Sequence, residues 1–336
     1  MSGKPILGII LGDAAGVGPE IIAKLAAKGF YEECCRPVIL GDARVLARGA
    51  DVSGVNVPVE IIDDVAQATW EHGIPVLDQK DLNPEEVPFG RLNVESGKAC
   101  LKLLKLAICL FQEKKIDGFC FGPLNKAGMI QAGCQFESEH HYMAHLLNHT
   151  APFGEINVVD NMWTTRTTSH IPIAKVSESL SAEKILRAIS LADTTLRNTG
   201  LEKPRLGIAA LNPHCGENGK CGREEIDIIG PAVEEARNRG IDATGPWSSD
   251  ILFHKAFVGG EFDGVVTMYH DQGQIALKLK GFERGITIAG GLPVPIATCG
   301  HGTAYDIAGK GIVHTTSFEN AVKMAAKMAA HIREKN

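Results

Sequence analysis

Short runs of β-branched and other apolar residues alternate with longer amphipathic segments along most of this 336-residue chain. The alternation predicts strands at 5–11, 37–40, 59–62, 116–121, 155–159, 205–211, 263–268 and 285–289. Between them it predicts helices at 18–28, 94–114, 182–198, 224–239, 248–258 and 318–333. Strands that alternate with helices of this length form α/β units around a mostly parallel sheet. We therefore predict an α/β fold.

The size and charge of the chain limit the kind of protein it can be. A chain of 336 residues is about twice the usual domain length, so two domains or one large domain are both open. The composition, 44% hydrophobic and 22% charged, is ordinary for a globular protein with a substantial core. A formal net charge of −6 argues against nucleic acid or an anionic membrane as a partner.

The N-terminal segment and the cysteines indicate a reducing, cytoplasmic environment. The apolar run 6–11 is too short to cross a membrane and lacks the flanking residues of a signal peptide. The nine cysteines are scattered and include no CxxC pair, so we expect reduced thiols rather than a zinc ribbon or a redox motif. We therefore predict a cytoplasmic protein with no membrane partner.

Histidines stand close to apolar stretches at three separate places in the sequence. His214 follows the predicted strand 205–211, His270 follows 263–268, and His170 lies beside another apolar stretch. Ligands of open α/β sheets bind at the carboxyl ends of strands. Imidazole suits zinc and other transition metals, and three ligands leave positions open for a substrate. The histidines could therefore converge on one cation, although an isolated strand-end histidine is more often structural.

A second histidine pattern offers a rival metal site. If the run 139–149 is helical, His141, His145 and His149 are four residues apart on one face. A polar helix face with incidental histidines explains the same pattern. Lys278 is a candidate proton-transfer group if it lies near a cation, and a solvated surface lysine otherwise.

Four short motifs stand out along the chain: DAAGVGPE at 13–20, LNPH at 211–214, MYHDQG at 268–273 and HGTA at 301–304. Together they resemble the 4-hydroxythreonine-4-phosphate dehydrogenase family of vitamin B6 synthesis, and the likeness runs essentially from end to end. The stretch 301–311 also resembles the cofactor loop of the isopropylmalate and isocitrate dehydrogenases, which share that fold. The resemblance implies two discontinuous α/β domains with mostly parallel sheets and an interdomain cleft. We place them at 1–125 with 300–336, and at 126–299.

The resemblance also implies a metal-dependent NAD dehydrogenase that works as a homodimer, with its active site near the subunit interface. The family's metal ligands fall on His170, His214 and His270, and the cation could be zinc, magnesium, manganese or cobalt. Lys278 falls on the substrate-binding lysine and would move the proton, with Asp271 beside His270 as a supporting acceptor. We assign NAD binding to Gly291, His301, Gly302, Thr303 and Asp306.

The chain departs from the family pattern at its substrate-contacting positions. These fall on His140 and His141, where the family has Gly-His-Thr from position 139, and on Thr287 and Ile296, where it has asparagine and arginine. Nothing isosteric replaces the forked donor of an arginine. The chain therefore resembles more closely the branch that contains the 4-phospho-D-threonate and 4-phospho-D-erythronate dehydrogenases.

That branch implies oxidation of the C3 hydroxyl of a 4-phosphorylated C4 hydroxy acid, followed by decarboxylation. Phosphothreonate would then give dihydroxyacetone phosphate and CO2. Two related dehydrogenases are alternatives, one acting on 4-hydroxythreonine 4-phosphate and one on aromatic cis-dihydrodiol dicarboxylates. Outside the dehydrogenases, the alternatives are a metal-dependent lyase or aldolase and a non-catalytic protein that binds a small molecule.

Overall fold

A computed structural model describes residues 3–335 and confirms the α/β fold. The strands are β1 Ile6–Ile10, β2 Arg36–Gly41, β3 Val59–Ile62, β4 Ile74–Asp78, β5 Gly118–Phe121, β6 Gly154–Val159, β7 Met162–Arg166, β8 Leu206–Ala209, β9 Ala243–Trp247, β10 Gly264–Thr267, β11 Ile286–Gly290 and β12 Ile296–Cys299. The helices are α1 Gly18–Ala27, α2 Tyr31–Cys34, α3 Ala43–Ser53, α4 Val94–Gln112, α5 Lys126–Gln131, α6 Glu139–Leu146, α7 Val176–Ser179, α8 Ala182–Arg197, α9 Gly230–Asn238, α10 Ser249–Phe257, α11 His270–Gly281 and α12 Thr316–Lys335.

The described residues divide into two compact units. One contains 3–150 with 286–335, and the other is Ala151–Gly285. The sequence placed these boundaries near 125 and 299. Two features move them: α5 packs on α4 so closely that a Cβ on Gly97 would lie 2.4 Å from the Gly128 carbonyl oxygen, and β12 pairs with β5.

The first unit is built on a sheet with the strand order β3-β4-β2-β1-β5-β12-β11. Every neighbouring pair is parallel except β11 with β12. Its central strands are buried on both faces, as the continuous apolar sequences of β1 and β2 require. The segments that follow β1 and β5 therefore emerge at the same edge of the sheet.

Glycines allow the chain to come very close to itself at that edge. A Cβ on Gly18 would lie 2.3 Å from the carbonyl oxygen of Leu11, and one on Gly122 would lie 2.6 Å from the same oxygen. Gly12 has a φ of +78°, which an L side chain rarely adopts. The glycines after β1 and β5 are therefore a packing requirement of this edge.

We expect Gly122→Ala to destabilise the protein by about 1–3 kcal/mol, because the new methyl group meets backbone atoms that cannot move aside. Urea denaturation measures the change. Gly128→Ala in α5 is the matched control, since the contacts of its Cβ start at 3.4 Å and alanine favours a helix. Equal losses of stability in the two variants would contradict the close-packing argument.

The second unit is built on a sheet with the strand order β6-β7-β10-β8-β9. Only β6 runs antiparallel to its neighbour, so β7, β10, β8 and β9 all end at one edge. Helix α8 covers this sheet with its apolar face, and the Ser181 side chain accepts a hydrogen bond from the Lys184 amide at the start of that helix. The carboxyl ends of these four strands form the edge at which a ligand site is expected.

All nine cysteines are free thiols, as the sequence predicts. Across residues 3–335, no helix combines the length and the apolar character needed to cross a bilayer.

Candidate functional site

The three histidines singled out from the sequence follow three neighbouring parallel strands. β10 lies between β7 and β8, with Thr267 opposite Arg166 on one side and Val266 opposite Ile208 on the other. His170, His270 and His214 come after the ends of β7, β10 and β8 respectively. The topology of the second unit therefore brings all three to the same edge of one sheet.

His170 and His270 form a pair. Beyond the end of β7, the Thr168 amide donates to the Met268 carbonyl oxygen at 3.1 Å, so the strands stay in register there. Each histidine lies two residues past this bond, and the centroids of the two rings are 5.5 Å apart. Two imidazoles at this spacing can both direct a nitrogen towards a common ligand.

Carboxylates hold one ring nitrogen of two of these histidines. The Nδ1 of His270 lies 2.8 Å from Asp271 Oδ1, and the Nδ1 of His214 lies 3.1 Å from Glu217 Oε1. A carboxylate on Nδ1 fixes the tautomer that leaves Nε2 with its lone pair, which is the arrangement common around metal-binding histidines. The contact between His270 and Asp271 is the one expected from the sequence, and the role of Asp271 stays a prediction.

His214 lies on a strained loop. Residues 214–218 all have left-handed backbone angles, and four of these five residues are not glycine. Each such residue costs roughly 1 kcal/mol or more, so the loop needs support from its surroundings. Part of it comes from the buried Glu225, which accepts hydrogen bonds from the Leu211 and Asn212 amides at 2.8 and 2.7 Å.

The structure brings together two of the three proposed metal ligands as a pair. Within residues 3–335, no group of three or more His, Cys, Asp or Glu side chains is arranged to hold a metal ion. The side chain of His214 is 73% exposed, at the surface of its loop. The three-histidine centre therefore stays a prediction, supported by the shared sheet edge and by the carboxylates on Nδ1.

The rival histidine pattern is not formed. α6 ends at Leu146, so His149 lies outside the helix and does not continue the face of His141 and His145. The ring of His145 packs on Phe136, with centroids 4.9 Å apart. A packed ring explains His145 without a metal.

Lys278 lies on α11, two turns beyond His270, or about 12 Å along the helix axis. It is exposed, and its Nζ lies 5.8 Å from the centre of the Phe282 ring. Asp271 is also exposed, beside His270. Lys278 can therefore reach a solvent-borne ligand, and its part in catalysis stays a prediction.

The proposed substrate-contacting residues of the first unit lie in two places. In α6, His140 is buried with Nδ1 3.6 Å from Glu139 Oε1, and His141 Nδ1 lies 2.9 Å from the Ser138 hydroxyl. Thr287 is buried in β11, and Ile296 is 0% exposed within β12. In this conformation Ile296 presents no surface to a substrate.

The segment proposed to bind NAD is held by residues of the DAAGVGPE motif, at the end of the loop after β1 and in the first turn of α1. The buried Glu20 accepts hydrogen bonds from the amides of Gly309 at 2.7 Å and Gly311 at 3.0 Å. The Val17 amide donates to the Thr303 carbonyl oxygen at 3.1 Å. Motifs almost 300 residues apart in sequence therefore form one two-loop structure.

Two of the proposed NAD-binding residues lie at the surface of this structure. Gly302 and Asp306 are exposed, and a Cβ on Gly302 would meet nothing within 4 Å. His301 Nδ1 lies 2.9 Å from the Gly302 carbonyl oxygen. Gly291 follows β11 with a φ of +80°. An open, glycine-bearing loop on a rigid base is compatible with a bound dinucleotide.

Sequence reasoning missed the buried carboxylates that hold these loops. Asp13 accepts hydrogen bonds from the hydroxyls of Ser96 and Tyr305, and burial together with Asp13 raises the pKa of Tyr305 well above its usual value. Both Asp13 and Glu20 lie inside the DAAGVGPE motif. An acidic residue within an otherwise apolar glycine-rich turn was the signal available.

We expect the acid stability of the second unit to depend on Glu224. The Ser177 hydroxyl and the Asn212 side-chain amide donate to its carboxylate and lower its pKa from 4.5. A carboxylate with a lowered pKa stabilises the folded state above its unfolded pKa, and the effect is lost as the pH falls through the folded pKa. The stability difference between the wild type and Glu224→Gln should be largest near pH 7 and shrink below about pH 4.5.

Urea denaturation of both proteins between pH 7 and pH 3.5 measures this difference. A stability difference that stays constant over this pH range would show that the charge of the Glu224 carboxylate does not stabilise its contacts with Ser177 and Asn212.

The chain is similar to known proteins over nearly its whole length. The family model described as pyridoxal phosphate biosynthetic protein PdxA matches residues 33–325. A protein of Pseudomonas aeruginosa, provisionally named 4-hydroxythreonine-4-phosphate dehydrogenase 2, is 44% identical over 331 residues, which are 97% of this chain and 98% of that protein. A D-threonate 4-phosphate dehydrogenase of Cupriavidus necator is 37% identical over 326 residues, 97% of each chain.

Solved structures show the same likeness. The crystal structure of a 4-hydroxythreonine-4-phosphate dehydrogenase from Klebsiella pneumoniae aligns with a TM-score of 0.85 at 34% identity, covering 97% of this chain and 100% of that one. Likeness in sequence and in fold therefore points to the same group of proteins.

Proposed function

Because the chain belongs to the family described as pyridoxal phosphate biosynthetic protein PdxA, we propose that it is a metal-dependent NAD dehydrogenase of phosphorylated hydroxy acids. The observation that carries the proposal is the paired His170 and His270 at the ends of adjacent parallel strands. The names of two relatives make 4-hydroxythreonine 4-phosphate and D-threonate 4-phosphate the two candidate substrates.

We favour D-threonate 4-phosphate or D-erythronate 4-phosphate as the substrate. The position where the family carries a substrate-contacting arginine is Ile296, a fully buried aliphatic side chain in β12. Thr287 stands in place of the asparagine and is also buried. Neither residue supplies the charged, forked donor of the family's pattern. 4-Hydroxythreonine 4-phosphate is the alternative substrate, because the Pseudomonas aeruginosa relative is named for its dehydrogenation.

The proposed reaction removes the C3 hydrogen as hydride and the C3 hydroxyl hydrogen as a proton. A divalent cation on His170, His214 and His270 would stabilise the negative charge that develops on the C3 oxygen, and NAD would take the hydride. The Asp271 and Glu217 carboxylates keep Nε2 of His270 and His214 free for this role. Lys278, exposed on α11, would accept the hydroxyl proton as the neutral amine, directly or through water.

Decarboxylation follows from the position of the new ketone. Oxidation at C3 places a carbonyl β to the C1 carboxylate. The C1–C2 bond then breaks, its electrons pass to the C3 oxygen as an enolate, and C2 takes a proton from water. D-Threonate 4-phosphate gives dihydroxyacetone phosphate and CO2. A product that retains C1 would contradict this part of the proposal.

The experiment that tests the function is a screen of 4-phosphorylated C4 hydroxy acids with NAD or NADP and a panel of zinc, cobalt, manganese and magnesium. NADH absorbance reports oxidation, and mass spectrometry identifies the product. We expect turnover with phosphothreonate or phosphoerythronate, and a large fall in kcat for Lys278→Met. Turnover of 4-hydroxythreonine 4-phosphate alone would overturn the substrate assignment. Metal-dependent cleavage without NADH would indicate a lyase.

We also propose that two copies of the chain associate through α11. Ile275, Leu279 and Phe282 are spaced along one side of this helix and its end, and Leu279 is 84% exposed. A contiguous apolar stripe of this kind marks an interaction surface. Light scattering of the purified protein should give the mass of a dimer, and a monomer at micromolar concentration would contradict the proposal.

A further inference from the structure

The two sides of β10 are joined to their neighbours by different means beyond the ends of the strands. On the β7 side, the backbone continues the pairing, since the Thr167 amide donates to the Thr267 carbonyl oxygen at 2.8 Å and the Thr168 amide bonds to Met268. On the β8 side, the paired register ends at Val266 and Ile208. Backbone hydrogen bonds therefore fix the position of His170 relative to His270. On the β8 side, the backbone pairing does not continue towards His214 in the same way.

The side chain of Gln272 lies in the place where that ladder stops. Its Oε1 accepts the Met268 amide at 2.7 Å, and its Nε2 donates to the Ala210 carbonyl oxygen at 2.7 Å. The second hydrogen of Nε2 is donated to the Ser249 hydroxyl oxygen, also at 2.7 Å. The carboxamide thus stands between an N–H of the chain after β10 and a C=O of the chain after β8, as an inserted peptide group would.

We propose that Gln272 is a positioning residue that sets the separation between His270 and His214. The inference rests on the proposed three-histidine site. His270 follows Met268 by two residues and His214 follows Ala210 by four, so the two tied atoms are close in sequence to the two histidines. A planar amide of fixed length holds the strand ends one amide group apart, which is wider than direct backbone pairing allows.

No other side chain of similar size could make these bonds. Glutamate at 272 would place a second oxygen against the Ala210 carbonyl, where a donor is required. Methionine would fill the same volume and leave both the Met268 N–H and the Ala210 C=O without this partner. Asparagine keeps the amide but is one methylene too short to reach both strand ends.

The test is a titration of metal-free protein with Co²⁺, followed by calorimetry and by the visible absorption spectrum of the bound ion. For Gln272→Met we expect Co²⁺ affinity to fall about 10–100-fold, the range seen when outer partners of metal ligands are removed. The spectrum should change too, since it reports ligand geometry. Ser249→Ala is the control. It removes the Ser249 hydroxyl, which accepts from Gln272 and donates to the Ala210 carbonyl oxygen at 3.2 Å, but it keeps both bonds of Gln272 with the strand ends. This variant should bind Co²⁺ within about threefold of the wild type.

The outcomes separate this inference from the function it rests on. Wild-type protein that does not bind Co²⁺ would overturn the three-histidine site itself. Wild-type binding with an unchanged affinity and spectrum in Gln272→Met would overturn the role of Gln272 and leave the proposed function standing. Equal losses of Co²⁺ affinity in Gln272→Met and Ser249→Ala would assign the effect to the hydrogen-bond network as a whole. That result would also overturn the positioning role of Gln272. If Gln272→Met does not fold, Gln272→Asn replaces it in the same titration.

Discussion

Replacing His214 with alanine should reduce turnover by roughly 1000-fold or more while leaving the fold intact, because a lost Lewis acid removes several kcal/mol of transition-state stabilisation. The side chain of His214 is 73% exposed and its Nδ1 contacts Glu217 on its own loop, so its removal leaves no cavity in the core. The substitution should therefore separate metal binding from stability.

The measurement combines NADH formation with the metal content of the purified variant and its thermal unfolding. His254→Ala is the matched control, because His254 is an exposed histidine of the same unit on α10. We expect the control to keep wild-type activity and metal content. A His214→Ala protein that oxidises substrate at near wild-type rates would remove His214 from the proposed site, and a large fall in melting temperature would indicate a structural role instead.

The fold was predictable wherever the apolar pattern was uninterrupted. All eight predicted strands are present, because runs such as those of β1 and β10 have no alternative way to be buried. β7 and β9 escaped detection since MWTTR and ATGPW contain threonine, glycine, proline or arginine instead of a continuous apolar run. β4 and β12 are likewise short and follow a glycine or a proline.

The candidate site was predictable as far as it depends on strand ends. Parallel pairing of β7 with β10 and of β10 with β8 is a long-range property, yet it follows from the fold class and places His170, His270 and His214 at one edge. The residues that hold this edge could not be found in the same way. Gln272 and Glu225 act through backbone atoms of segments distant in sequence, and such contacts leave no periodic signal.

We expect Glu20→Ala to weaken both the first unit and its cofactor loop. The two backbone hydrogen bonds that Glu20 accepts from Gly309 and Gly311 end on a buried carboxylate, where each contributes about 1.5–3 kcal/mol. Their loss should lower stability by about 3 kcal/mol in urea denaturation and raise the KM for NAD about tenfold, since the loop 301–306 would lose its base.

Glu20→Gln keeps one acceptor oxygen and should lose about half as much stability. Glu33→Ala, an exposed glutamate of α2, is the control and should change neither quantity. A destabilised Glu20→Ala protein with an unchanged KM for NAD would show that the loop is a structural element of the fold and that NAD binds elsewhere.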